Sequence, residues 1–397
     1  MSRGDVSLAA GLLFGLVVLA VFGVLDYRDR IVNSSDFAVI WSGARTIVEG
    51  GDPYVASSYL ETLRRYGAPQ TEIDVYTYAP WVAFALFPVA LLPLQVASFV
   101  WTFGTLAAGV VAMRSLLSAY APSIPATWGL FSFALVASQP GMATLFMGQW
   151  GFLLVGATAV LVLGLRSSDW ITAMAAGVLL AKPQLFIFAG WAYLRAALAR
   201  GRGSLLAVAV LIVGVILGAT AFLRLGDLSA WVTHVAARRV EDLTAPTVPM
   251  VLRDMLGPIG ALLAVGMLMV AILGGLRFGP RTDAFLAVWL ALSILFAPYS
   301  RSYDQIVLVV PLIITTGVLA ARSPQTAIRF ATLSTAGFVL GSIILYGVAA
   351  AREREDTSAL IPIGVFASVV VAVWAHRADG RADQRTDGRP SDGVQTL

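Results

Sequence analysis

The chain predicts an all-α protein that crosses a membrane many times. Hydrophobic residues make up 58% of it and charged residues 13%, where soluble domains carry roughly 25% charged. Its mean hydropathy is +0.82. Apolar segments long enough to cross about 30 Å of hydrocarbon recur from one end to the other. No stretch between them has the length of an ordinary soluble domain, so 1–375 reads as one polytopic unit. The tail 376–397 is rich in Arg, Asp and Gly, with little apolar content, and is expected to be a disordered cytoplasmic extension.

In order, the first span is expected at 7–25. Its apolar run is longer than a usual signal-peptide core and no small-x-small cleavage site follows, which favours a retained signal anchor. The polar region 26–79 comes next and is the longest in the chain. Two helix-like runs within it, 37–49 and 57–66, read as helices on or near the membrane surface. Further spans are expected at 80–93, 95–113, 126–143, 149–165, 170–194 and 204–223. The sixth of these six is that before 224–257, a second polar region containing Trp231, His234, Arg238, Arg239, Glu241 and Asp242. Spans at 258–276, 283–297, 305–321, 326–347 and 360–375 bring the count to roughly twelve. Pro183 interrupts 170–194, and two spans between 80 and 194 are short.

With the N-terminus inside, the arginine-bearing loops 195–203, 277–281 and 322–325 fall inside together with the tail, as the positive-inside rule asks. The loops 26–79, 224–257, 298–304 and 350–358 then fall outside. The carboxylates on that side reduce chiefly to Asp36, Asp52, Asp74, Asp242 and Asp304. Cysteine is absent, which excludes disulfides and thiol nucleophiles. The two histidines, His234 and His376, exclude a histidine-rich metal site. Lys182 is the only lysine.

A series of short motifs runs through the chain: Asp36-Phe37, Gly51-Asp52-Pro53-Tyr54, Tyr76-Thr77-Tyr78-Ala79-Pro80, Gly148-Gln149-Trp150-Gly151, Lys182-Pro183-Gln184, and Ala297-Pro298-Tyr299 leading to Tyr303-Asp304. In order and spacing they resemble glycosyltransferase family 87, with Ala79 where the family pattern has proline. Characterised members of that family include polyprenol-phosphate-mannose-dependent α-1,2-mannosyltransferases of the mycobacterial envelope. The resemblance implies the GT-C membrane fold with a large first outer loop. It implies transfer of a sugar from a polyprenyl phosphate to a lipid-linked or envelope glycan on the outer face of the plasma membrane. It places the catalytic carboxylate at Asp36. Mannose, or another hexose or pentose, is the expected sugar, with inversion at the anomeric carbon. The expected partners are membrane lipid, donor and acceptor; no cofactor, metal or nucleic acid is called for. The alternative from another class is a secondary transporter or a flippase of lipid-linked glycans. Against it, the chain shows no internal repeat and Lys182 is the one clear intramembrane charge.

Such a transfer needs a base, and a partly desolvated Asp36 near the interface suits that role; helix N-capping is the plainer reading. Lys182 before Pro183 puts an ammonium beside a helix start, a pairing that attracts a lipid phosphate. The other reading is a lysine that snorkels or lines a crevice. Arg301 is the rival phosphate cation, or the ion-pair partner of Asp304. Gln149, Tyr54, Tyr78, Tyr303 and Asp304 are the candidate substrate contacts. The tyrosines also fit an interfacial aromatic belt, and Gln149 also fits a residue satisfying backbone in a tight turn. Asp52 fits a turn residue in its Gly-Gly-Asp-Pro setting.

Overall fold

The computed structural model describes residues 36–68, 75–125, 127–166, 170–223, 229–233 and 245–386. Among these every regular element is a helix. The elements are α1 (Asp36–Val48), α2 (Ala56–Arg65), α3 (Pro80–Ala85), α4 (Phe87–Ala90), α5 (Leu94–Tyr120), α6 (Thr127–Ala137), α7 (Gln139–Met147), α8 (Gly151–Gly164), α9 (Trp170–Leu179) and α10 (Ile187–Ala199). They continue with α11 (Gly203–Leu223), α12 (Val248–Leu276), α13 (Asp283–Leu295), α14 (Val309–Ala320), α15 (Pro324–Ala351) and α16 (Leu360–Thr386). Short 3₁₀ turns at Pro183–Leu185, Ser302–Leu308 and Glu355–Ala359 join them at one end of the bundle.

The boundaries follow local chemistry. The Ser323 hydroxyl accepts from the Thr326 amide at 3.2 Å and starts α15, and Thr282 does the same for Phe285 at the head of α13. Ser138 caps α7 by accepting from Gly141, and there the chain bends by 54° between α6 and α7. Gly257, at φ +58° and followed by Pro258, kinks α12.

Helices α13 and α14 are apolar all round and form the centre; from Ala284 to Leu295 every residue is buried. A helix without a polar face has no solvent side to offer. Around this pair one continuous core runs from Phe37 to Val373. Five stretches are long and apolar enough to cross a membrane: α5, α12, Ser302–Ala320, α15 and Glu355–Arg377. The bent α6–α7 pair makes a sixth, and α8, α10, α13 and Gly203–Gly218 are shorter apolar helices. The protein is therefore an all-helical, multi-pass membrane protein. The expected first span, 7–25, lies outside the described residues.

Several expectations are corrected. The stretch 80–93 is not a span: Pro80 starts a helix of six residues and Pro93 follows one of four. The stretch 170–194 is not one span either. Helix α9 ends at Leu179, the chain turns through Lys182 and Pro183, and α10 runs back. Proline cannot donate in a helix interior, so the break belongs at Pro183. Residues 248–257, expected in an outer loop, belong to α12. The tail, expected to be disordered from 376, continues α16 as helix to Thr386. The runs expected at 37–49 and 57–66 are α1 and α2, but α1 is packed into the core, with Phe37, Ile40 and Trp41 almost fully buried.

The bundle has two chemically different ends. At one, Asp36, Gln149, Lys182 and residues 299–304 meet. At the other, Asp283 receives Arg166 at 2.9 Å and Arg200 at 3.0 Å, with the Tyr120 hydroxyl at 3.2 Å. Arg281, Arg322 and Arg377 also bond backbone carbonyls at that arginine-rich end.

The α7–α8 junction is a close approach. Gly148 has φ +63°, and a Cβ there would lie 2.5 Å from the Phe37 Cβ. Gly148→Ala is expected to destabilise the protein by about 1–3 kcal/mol through overpacking and left-handed strain. Gly104→Ala, whose Cβ would meet nothing within 4 Å, should be neutral or stabilising. Thermal unfolding in detergent distinguishes the two.

Candidate active site

The site begins with a carboxylate at a helix start. Asp36 is the first residue of α1, where exposed amides and the helix dipole favour a negative charge. Across from it, Gly148 closes α7 in the left-handed conformation and aims the next residue inward. The Gln149 amide nitrogen then donates to Asp36 Oδ2 at 2.6 Å. Gln149 is 2% exposed and its Oε1 has no hydrogen-bond partner. Gly151 completes the turn: a Cβ there would collide with Thr144 and Ile306.

An aromatic row backs this pair. Its successive ring spacings are Tyr54–Tyr76 6.0 Å, Tyr76–Tyr78 5.8 Å, Tyr78–Trp150 6.4 Å, Trp150–Trp101 4.7 Å and Trp101–Phe37 5.6 Å. Tyr54 is buried at the far end and its hydroxyl donates to the Tyr78 carbonyl at 2.6 Å. Tyr78 is half-buried, with Gln149 and Asp36 as neighbours. Of these two candidate contacts, Tyr78 borders the carboxylate, whereas Tyr54 braces it from behind. Asp52 makes a turn: its Oδ1 accepts from the Tyr54 amide at 2.8 Å.

The second half comes from the α9–α10 turn and the segment after α13. Lys182 Nζ lies 2.6 Å from Asp304 Oδ1, with the two side chains 7% and 1% exposed. The ammonium also sits over the Tyr303 ring, 4.5 Å from its centre. Asp304 Oδ2 accepts the Arg301 backbone amide at 3.0 Å. Both oxygens of Asp304 are thus engaged in holding the turn and the lysine. The Arg301 side chain goes elsewhere than the expected pair with Asp304. It donates to the Tyr299 hydroxyl at 2.9 Å and to Glu355 Oε1 at 3.4 Å. Glu355 Oε2 in turn accepts the Ser302 amide at 3.1 Å.

Glu355 and Tyr299 are the members of the cluster that sequence reasoning missed. The acid- and arginine-rich run before residue 357 marked only a loop; nothing in it pointed to Arg301. Asp74 and Asp242, with His234, Arg238 and Arg239, lie outside the described residues.

Electrostatically the site is a buried carboxylate with two cations acting on it. Burial raises the Asp36 pKa above the ordinary carboxylate value; the Gln149 hydrogen bond, Lys182 and Arg301 oppose that rise, and Asp304 adds to it. Burial also pushes the Tyr78 phenol well up, with the Asp36 charge acting in the same direction. Burial disfavours the Arg301 cation, but Tyr299 and Glu355 outweigh it and hold the guanidinium charged.

The Lys182–Asp304 contact gives a stability prediction. Lys182→Met leaves a buried carboxylate unpaired and should cost about 3–5 kcal/mol. Adding Asp304→Asn removes that charge, so the double variant should be less destabilised than the two single losses added together. Denaturant unfolding of the four proteins in micelles reads the cycle. Additive losses would mean that the pair is not coupled.

The family model for Glycosyltransferase family 87 matches residues 76–298, a little more than half of the chain. That stretch contains Tyr78, Gln149 and Lys182, while Asp36, Arg301 and Asp304 flank it. No curated protein and no solved structure matches the chain. Family membership sets aside the transporter and flippase alternative: the chain is a membrane glycosyltransferase and belongs to glycosyltransferase family 87.

Proposed function

We propose that the protein moves a sugar, mannose in the first instance, from a polyprenyl-phosphate donor to a hydroxyl of a lipid-linked or envelope glycan. The transfer inverts the anomeric carbon on the outer face of a GT-C-type membrane domain in a bacterial plasma membrane. The observation that carries this reading is the placement of Asp36. It is a partly desolvated carboxylate fixed by Gln149, with Lys182 and Arg301 as its nearest cations.

The chemistry follows from those positions. The acceptor O–H gives its proton to Asp36 as its oxygen attacks the anomeric carbon. The bond from that carbon to the phosphate oxygen breaks, and the polyprenyl phosphate leaves with one more negative charge. Lys182 has three N–H donors and Arg301 five. One of the former is on Asp304, and two of the latter serve Tyr299 and Glu355. In this reading the remaining donors take phosphate oxygens. A cation aimed at charge that grows in the transition state favours that state over the ground state. Gln149 Oε1 and the Tyr78 and Tyr303 rings are the groups offered to the sugar.

The lipid tail has a place to lie. An apolar cavity of about 350 Å³ opens beside Pro183 and Phe186 and runs between α8, α9, α10 and α11. It begins one residue from the lysine proposed to hold the phosphate, which is the order in which a polyprenyl phosphate presents head and tail.

Three outcomes are expected. With purified enzyme, polyprenyl-phosphate mannose and a membrane glycolipid extract as acceptor, Asp36→Asn should lose about 10²–10⁴-fold in transfer while still binding donor. Residual activity above a few per cent would remove Asp36 as the base. The base acts deprotonated, so turnover falls as pH drops through the Asp36 pKa. Since that pKa is raised, the acid limb should lie above the ordinary carboxylate range. Gln149 stabilises the charged form, so Gln149→Leu should move the limb to still higher pH. Finally, the chain has no cysteine, so one placed at the exposed Ser57 can be labelled alone. An impermeant reagent should reach it in intact cells; labelling only after lysis would put the site on the wrong face.

A further inference from the structure

The loop between α15 and α16 carries the carboxylate that meets Arg301. Helix α15 ends with the Glu353 amide on the Ala350 carbonyl at 3.2 Å and the Arg354 amide on the Ala349 carbonyl at 3.0 Å. That pairing is a Schellman cap, whose C′ residue takes the left-handed conformation and is usually glycine. Here it is Glu353, at φ +55°, the one non-glycine residue with a positive φ among the described residues. A side chain is disfavoured in that conformation, which persists only where the surroundings impose it. The turn delivers Glu355. Its Oε1 accepts the Arg301 guanidinium at 3.4 Å and its Oε2 the Ser302 amide at 3.1 Å.

The neighbouring charges are paired elsewhere. Arg354 reaches Asp254 at 3.3 Å and Asp356 at 3.4 Å, and Arg352 reaches Asp356 at 3.9 Å. Among the described residues Arg301 is the one ion-pair partner of Glu355. This pair is looser than the buried contact of Lys182 with Asp304: its side chains are 32% and 27% exposed. The Tyr299 hydroxyl also holds Arg301 Nε, so the orientation of the guanidinium does not rest on Glu355 alone. Arg301 Nη2 bonds no described residue. A phosphate taken there would share one guanidinium with Glu355, and two anions on one cation disfavour each other.

We propose that Glu355 sets the affinity of the site for phosphate: it stands against the phosphate on Arg301 and so speeds release of the spent polyprenyl phosphate. This rests on the reading that Arg301 takes the phosphate of a polyprenyl-linked donor. The donor is a phosphate diester with one negative charge, whereas the released monoester carries about 1.5 to 2 at pH 7. A site of cations alone would therefore hold product more tightly than donor and stall. Glu355 opposes that gain at the more exposed of the two cations, while Lys182 keeps its own fixed partner.

The test is calorimetric titration of the full chain in micelles with undecaprenyl phosphate, alongside steady-state transfer. Glu355→Gln keeps an oxygen for the Ser302 amide and removes the charge. It should bind undecaprenyl phosphate about tenfold more tightly than the wild type, with kcat lowered and the thermal midpoint unchanged. Glu355→Asp keeps the charge and should bind within about twofold of the wild type. Unchanged or weaker binding by Glu355→Gln would overturn the proposal. So would a wild type that binds undecaprenyl phosphate more than about tenfold tighter than its mannosyl ester, a comparison that needs no variant. If Arg301→Met binds undecaprenyl phosphate as the wild type does, the proposal falls and the donor reading stands. If the wild type does not bind it at all, the donor reading falls and takes the proposal with it.

Discussion

One contact ties the site together. Lys182 and Asp304 are 122 residues apart in sequence and 2.6 Å apart in space. Neither charge has water to turn to, so each is tolerable only because of the other. The lysine fixes the turn between α9 and α10. The aspartate, through the Arg301 amide, fixes the start of the 3₁₀ segment that leads into the central helix α14. The Tyr303 ring closes over the ammonium. Through this one pair, two chain reversals at the same end of the bundle acquire a fixed distance. The cation nearest Asp36 is therefore held by the scaffold rather than by substrate.

The rest of that end is built to the same tolerance. Gly148 admits Phe37, Gly151 admits Ile306, and Gly43 faces the Tyr76 ring so closely that a Cβ would overlap it. Trp81 donates to the Leu180 carbonyl and Trp231 to the Thr77 carbonyl, with their rings 5.4 Å apart. These contacts join the first polar region to the α9–α10 turn and to the second polar region. A functional side chain must sit within about half an ångström of its working position. Small residues at the crossings and indole donors across them supply that rigidity without further charge.

Composition made the membrane character legible, and the motif series made the site's members legible, because both are properties of short windows. Asp36, Gln149, Lys182 and Asp304 could each be picked out for a local reason: a carboxylate before a helix, a glycine step, a lone lysine, an acid after a proline loop. Their pairing could not. Nothing near Lys182 tells which of several outer carboxylates it meets, and Arg301 beside Asp304 is the closer neighbour in sequence. The ion pairs are decided by where the α9–α10 turn and Glu355 come to rest, which is a property of the packed bundle. The spans failed for a related reason. Hydropathy counts apolar residues, but 80–93 is apolar because it is wedged against α1 and α5. The segment 170–199 hides two helices because each is shorter than a usual span.

The two ends of the bundle divide the work by charge. At the arginine-rich end, Asp283 alone among the described residues there accepts two guanidinium groups, and the remaining arginines bond carbonyls or face outward. That arrangement ties α8, α10 and α13 together at one carboxylate. At the Asp36 end, three carboxylates and two cations share a partly desolvated pocket. The surplus is one negative charge, and it falls on Asp36, whose nearest hydrogen-bond donor is an uncharged amide. A neutral donor holds the carboxylate in place without quenching its basicity as an arginine would. Burial is the larger influence on Asp36 and raises its pKa; the Gln149 hydrogen bond opposes that rise without reversing it.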